Sequence, residues 1–222
     1  MKIKDYNRLL TLQLGELLAE TGFKVRKTSC LYRKVNRCVQ YLFVYFKKDK
    51  YSSEESYTLS CSLAFQYVRA DKLVCHFCNY FDAPRWATGF IPFINVIPGH
   101  DVMWEKYCPD LSIEDYAEFI AQDFIKYSSS FYDKFNSLEK LEAYFDLYPD
   151  GDENEEFHFM QRDDFSNGRA CLIAAVLFIL KRWDKLKSFL DTNKKLTEDE
   201  KKRILEYMEE YRKPKTINRV KW

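Results

Sequence analysis

The stretch CVQYLFVYF, residues 38–46, limits this chain more than any other. Read with a period of two, Cys38, Gln40, Leu42, Val44 and Phe46 point one way, and Val39, Tyr41, Phe43 and Tyr45 point the other. A strand on a half-wet sheet alternates apolar and polar residues. This one is apolar on both sides, so its second side must be covered or put to use. Its natural neighbour is YTLSCSLAFQ, residues 57–66. There Tyr57, Leu59, Cys61, Leu63 and Phe65 form an apolar set, and Thr58, Ser60, Ser62, Ala64 and Gln66 a small, hydroxyl-rich one.

The surrounding pattern predicts helices that outnumber what one face of a small sheet can use. Residues 5–21 place Tyr6, Leu10, Leu14, Leu17 and Leu18 on one stripe, and Gly22 follows where a left-handed residue ends a helix. Strands are expected at 23–26, 30–34 and 38–46, with a tight turn at Asn36, then at 57–66, at 73–80 and near 90–96. Residues 47–56 form a polar loop, and 82–111, rich in proline, read as irregular. From Ser112 the period becomes helical: Ser112 with Asp115 resembles a capping box, and Ile113, Tyr116, Ala117, Ile120, Phe124 and Tyr127 make a stripe. Asn136 with Glu139 opens a helix over 137–147. An almost wholly apolar helix over about 166–182, a short one at 184–191, and one opened by Thr197 with Glu200 complete the chain. The expected fold is α+β: a small antiparallel sheet with helices packed on one face and a C-terminal helical region. Residues 1–148 are expected to form the α+β domain, and 149–222 a helical extension packed on the same body.

With 222 residues the chain can bury a core without metal or disulfide. Its 35 basic and 34 acidic side chains give a net charge of +1, against a dedicated nucleic-acid binder. The cysteine count is odd, at 7, and residues 1–20 hold no uninterrupted apolar signal segment. Both point to a reducing, cytoplasmic setting with no membrane span.

The layout puts Leu59, Cys61, Leu63 and Phe65 beneath the helices and Tyr41, Phe43 and Tyr45 on the opposite face, beside Thr58, Ser60 and Ser62. Two readings follow. Segment 82–111, with Trp86, Phe90, Phe93 and Trp104, folds over that face. Alternatively, the face is a docking surface, with Tyr41, Phe43, Tyr45, Arg85, Trp86 and Trp104 as anchors.

Motifs of chemistry are few. CHFC, Cys75–Cys78, with Cys108 and His100, has the donor types of a zinc site, but on a strand an offset of three sends the two thiols to opposite faces. Asp150, Asp152 and Asn154 have the spacing of a calcium loop, but Glu155 stands where glycine is needed and Gln161 where glutamate is. Asp199 and Lys201 suit a helix start better than a nuclease. The basic end, Arg212, Lys213, Lys215, Arg219 and Lys221, reads as a solvated tail. No cofactor or metal is expected. An enzyme reading, a small hydrolase, would use His100, Asp101 and Arg85.

A helix ending in Gly22-Phe23-Lys24, then LYRKVNRCVQYLFVYFKK, then YTLSCSLAF, resembles a bacterial domain of unknown function, number 4304 in the usual naming. Its members read as a helix, a Gly-Phe turn, F-x-R with a strand pair, and a T-V-N-L-G-like strand; Tyr32-Arg33 and Thr58–Leu63 take those places. Trp104 and SSSFYDKFNSLEKL, residues 128–141, look like the family's later Trp and helix–turn–helix join. The resemblance covers most of residues 5–145; Ser-Cys-Ser at the strand centre and residues 66–100 depart from it. It implies an α+β fold, a cytoplasmic bacterial protein and an immunity or defence setting, and supplies no catalytic residues. The expected function is thus a non-enzymatic protein-interaction module, with a homodimer as a further reading.

Overall fold

The computed structural model describes residues 2–48, 57–79, 88–97, 112–149 and 168–212. The elements are α1 (Ile3–Leu17), β1 (Lys24–Lys27), β2 (Cys30–Val35), β3 (Cys38–Lys48), β4 (Tyr57–Gln66), α2 (Val68–Phe77), β5 (Gly89–Pro92), α3 (Ile113–Tyr132), α4 (Leu138–Leu147), α5 (Gly168–Ile179), α6 (Trp183–Thr192) and α7 (Glu198–Arg212). The fold is α+β, as expected. The chain divides into two compact units: residues 1–68 with 86–160, and 69–85 with 161–222. This differs from the expected partition, because α2, drawn from the middle of the chain, belongs with the C-terminal helices.

In the first unit the five strands form one antiparallel sheet in sequential order. Asn36 takes a φ of 54° in the β2–β3 turn, and Gly22 a φ of 82° after α1. The long β3–β4 ladder sets Gln40, Leu42, Val44 and Phe46 opposite Phe65, Leu63, Cys61 and Leu59. All eight are buried. Helix α3 and the turn after it cover this side: Phe65 stacks on Phe135 at 4.9 Å and Phe46 meets Tyr116 edge-on at 5.2 Å, while Phe23, before β1, meets Phe124 at 5.0 Å. The Tyr132 hydroxyl donates to the Tyr41 carbonyl at 2.6 Å, and burial lifts its pKa well above the usual phenol range. The Asn7 side chain of α1 acts as a strand neighbour for β3: its amide donates to the Phe46 carbonyl at 3.2 Å and its carbonyl accepts from the Phe46 N–H at 2.6 Å. Gly15 permits the close approach of α1 to β1, where a Cβ would come within 2.5 Å of Val25 Cγ2.

Ser112 and Asp115 make the expected capping box of α3. The α3 stripe holds through Phe124 and then passes to Ser128, Phe131 and Tyr132, while Tyr127 is only half-buried. On α1, Leu17 is exposed and Leu10, Leu14 and Leu18 carry the packing. The cap of α4 is Ser137, whose hydroxyl accepts from the Lys140 N–H at 3.2 Å, one residue later than the expected Asn136. A Ser hydroxyl reaches the third helical N–H as well as an Asn amide does, so the two candidates compete by position alone.

In the second unit, residues 68–77 are helical, which corrects the strand expected at 73–80. Ala70, Leu73 and Phe77 are buried at helical spacing. Phe77 meets Phe178 at 6.5 Å and Tyr207 at 6.1 Å. The apolar α5 is buried from Ala170 to Phe178, as its composition requires. Thr197 and Glu200 close the expected capping box of α7: the Thr197 N–H donates to Glu200 Oε2 at 2.8 Å and the Glu200 N–H to Thr197 Oγ1 at 3.2 Å.

Candidate functional site: the reverse face of the sheet

The register gathers Tyr41, Phe43 and Tyr45 on the face opposite the one that α1 and α3 cover. Tyr41 lies opposite Ala64, Phe43 opposite Ser62 and Tyr45 opposite Ser60, so each ring stands over a small neighbour. From β2, Tyr32 stands beside Tyr41 and Cys30 beside Phe43; from β5, Phe90 lies beside Ala64. The face closes at its centre and opens toward its margins. Tyr41 is 5% exposed and Ala64 fully buried, whereas Tyr32, Val39, Phe43 and Phe90 are half-buried around them and Tyr45 is 36% exposed.

Tyr41 is therefore a structural ring. Its hydroxyl accepts from Arg26 Nη1 at 2.9 Å and donates to Gln66 Oε1 at 2.8 Å. Arg26 also lies 5.4 Å from the ring centroid, and Phe43 stacks on the ring at 5.7 Å. A phenol bonded on both sides, beneath a guanidinium, binds three strands together. Burial pushes the neighbouring Cys30 thiol pKa up, with Arg26 and Lys27 partly offsetting the shift.

Charge on this sheet has one sign. None of the five strands contains a carboxylate. Alternation puts Lys24, Arg26, Lys34 and Lys47 on the reverse face, all exposed. Both edge strands carry features that disfavour strand addition. β1 is wholly exposed and reads Lys-Val-Arg-Lys, while β5 is four residues long and ends in proline.

The aromatic residues expected to fold over the face separate. Phe90 is part of the face itself, paired in β5. Phe93 is fully buried against Phe124, among the helices. Trp86, Trp104 and Arg85 lie outside the described residues, as do His100 and Asp101 of the hydrolase reading. Cys108, Asp150, Asp152, Asn154, Gln161 and the tail from Lys213 lie outside them too. Arg212 is within α7, with its guanidinium 5.0 Å from the Trp183 ring centroid.

The grouping missed by sequence reasoning is in the second unit. Cys78, Cys171 and Glu200 bring two Sγ atoms and a carboxylate oxygen within 4.8 Å of one another. The available signal was CHFC read at helical spacing, which puts Cys75 and Cys78 on one side of a helix; Cys171 and Glu200 lie too far along the chain for spacing to join them. No helix among the described residues is long and apolar enough to cross a membrane. Compared with protein-family profiles, curated proteins and solved structures, the chain matches none.

Proposed function

We propose that this chain is a non-enzymatic protein-interaction module that docks an acidic segment of a partner protein on the open margin of its reverse sheet face. One observation carries the reading: half-buried rings and hydroxyls share a face with cations alone, on strands that hold no acidic residue. Rings supply area at low entropic cost, and uncompensated lysines supply attraction for carboxylates. Edge protection favours docking on the face over strand addition. A second copy of the chain would bring the same cations to a two-fold contact, so like charges oppose a homodimer through this surface. Base stacking needs rings lying open, whereas Tyr41 is buried and Phe43 half-buried, which favours a protein over a single-stranded nucleic acid. The immunity or defence setting rests on the family resemblance of residues 5–145.

The test is recovery of partners from the source cell with wild type, with Tyr45→Ser, and with a Lys34→Glu/Lys47→Glu double variant. Lys34 and Lys47 are exposed, so the charge reversal keeps stability within about 0.5 kcal/mol, while Tyr45→Ser, at a 36% exposed strand position, costs about 1 kcal/mol. The expected result is an acidic protein retained by wild type, weakened by Tyr45→Ser and lost with the charge reversal or at high salt. Equal recovery by all three proteins overturns the reading. Retention of RNA, lost in the same variants, reassigns the face to nucleic acid.

A further inference from the structure

Three helices of the second unit converge on two thiols and a carboxylate. Cys78 continues the last turn of α2, its N–H donating to the Val74 carbonyl at 2.9 Å. Cys171 is in the first turn of α5 and fully buried; Glu200 is the third residue of α7 and 7% exposed. We propose that Cys78 Sγ, Cys171 Sγ and the Glu200 carboxylate bind one divalent transition-metal ion of the zinc class.

Donor chemistry comes first. Two thiolates and one carboxylate suit a borderline-soft ion that favours tetrahedral geometry, and three protein donors leave a fourth corner for water. Zinc–sulfur bonds of about 2.3 Å place donor atoms roughly 3.8 Å apart at the corners of a tetrahedron. The three atoms already lie within 4.8 Å of one another, so closure takes a movement of about 1 Å or less. In the cap of α7 the Thr197 N–H and hydroxyl both donate to Glu200 Oε2. A carboxylate has lone pairs enough for a cap and a cation.

Charge balance points the same way. On binding, each thiol gives its proton to solvent, two S–metal bonds and one O–metal bond form, and no electrons are transferred. Three negative donors and a dication leave one negative charge. Arg203, on the same helix as Glu200, brings a compensating positive charge: its Nε donates to the carbonyl of Phe77, the residue before Cys78, at 2.7 Å. The C-terminal end of α2, where Cys78 sits, also favours a cation. Cys75 is one turn back on the same helix but outside the cluster.

The competing account is a pair of packed thiols beside a capping glutamate, with no ion. Cobalt(II) titration of chelator-treated, phosphine-reduced full-length protein separates the two. Wild type should take up one equivalent with thiolate-to-cobalt charge transfer and tetrahedral d–d bands, and zinc should displace it. Cys78→Ser and Cys171→Ser should abolish the charge-transfer band. Glu200→Gln, which keeps a capping side chain, should weaken binding by more than about tenfold. Cys75→Ser should bind as wild type does. Circular dichroism confirms folding of each variant; Cys78, only partly buried, is better tolerated as serine than the buried Cys171. No cobalt band in wild type, or an unchanged band in folded Cys78→Ser and Glu200→Gln, overturns the proposal. Loss of the band in Cys75→Ser overturns this ligand set.

Discussion

Gln40 is a buried polar side chain on the helix-covered side of β3, and its partner allows a quantitative test. Arg33, directly opposite on β2, donates from Nε to Gln40 Oε1 at 2.6 Å and from Nη1 to the Thr21 carbonyl at 3.0 Å. Its guanidinium carbon lies 4.9 Å from the Phe23 centroid and 5.7 Å from that of Tyr132. Gln40 is 1% exposed, so loss of the donor leaves a dry carbonyl. A charged hydrogen bond contributes about 1.5–3 kcal/mol and a partly desolvated cation–π contact about 1 kcal/mol. Arg33→Ala should therefore cost about 4 kcal/mol, and Arg33→Lys about half of that, since it keeps the charge but not the fork. Gln40→Leu should cost only about 1 kcal/mol, because the half-buried Arg33 still reaches water and Thr21. In the Arg33→Ala/Gln40→Leu double variant no orphaned acceptor remains, so the coupling should be about 2 kcal/mol. Hydrogen exchange of the β3 amides reads this unit alone; a coupling of 2 kcal/mol corresponds to about a 30-fold difference in protection from additivity. Coupling below about 0.5 kcal/mol would refute the pairing as the reason for a glutamine at this place.

Asn7→Ala should lower the stability of the first unit by about 2 kcal/mol, and Asn7→Asp, which keeps the acceptor for the Phe46 N–H, by less; urea unfolding read by circular dichroism ranks them. Lys181 closes α5 in a Schellman turn at φ 59°, with the Arg182 N–H bonded to the Leu177 carbonyl at 2.9 Å. Lys181→Gly should thus raise stability by about 1 kcal/mol and the melting temperature with it. In metal-free protein the Cys171 hydrogen bond and the Arg203 charge lower the Cys78 thiol pKa, whereas burial raises that of Cys61. A lowered value means more thiolate at neutral pH, so iodoacetamide with peptide mapping should label Cys78 ahead of Cys61 and Cys171, and faster labelling of Cys61 would contradict the assignment.

Most of the sheet was legible because its signals are local. Alternation in YTLSCSLAFQ, a turn at Asn36, and glycine after an amphipathic run each occupy fewer residues than one element, and each appears where expected. Capping boxes at Ser112 and Thr197 are equally local, for the serine or threonine and its carboxylate are three residues apart. Depth of burial was not legible. Tyr41 and Tyr45 share a face and a residue type, yet one is bonded by Arg26 and Gln66 and the other is 36% exposed. That difference depends on what adjacent strands bring alongside, and spacing along β3 contains none of it.

The misread element explains why the thiol cluster stayed hidden. In LVCHFCNY, residues 73–80, Val74, Phe77 and Tyr80 suit a strand by propensity. The stronger evidence was upstream: Ala70, Leu73 and Phe77 recur at three and four residues, a helical period, with Asp71 in the first turn. Tertiary burial follows that period and overrides the propensity of eight residues. On a strand, Cys75 and Cys78 diverge and a site between them is excluded. On a helix they share a side, and the question becomes which one meets donors from elsewhere. Cys78 does, and its partners come from two helices more than ninety residues further along the chain. A metal bound there would link α2 to α5 and α7, so its removal should lower the stability of the second unit while the exchange protection of β3 stays unchanged; loss of protection in β3 alone would place the ion elsewhere.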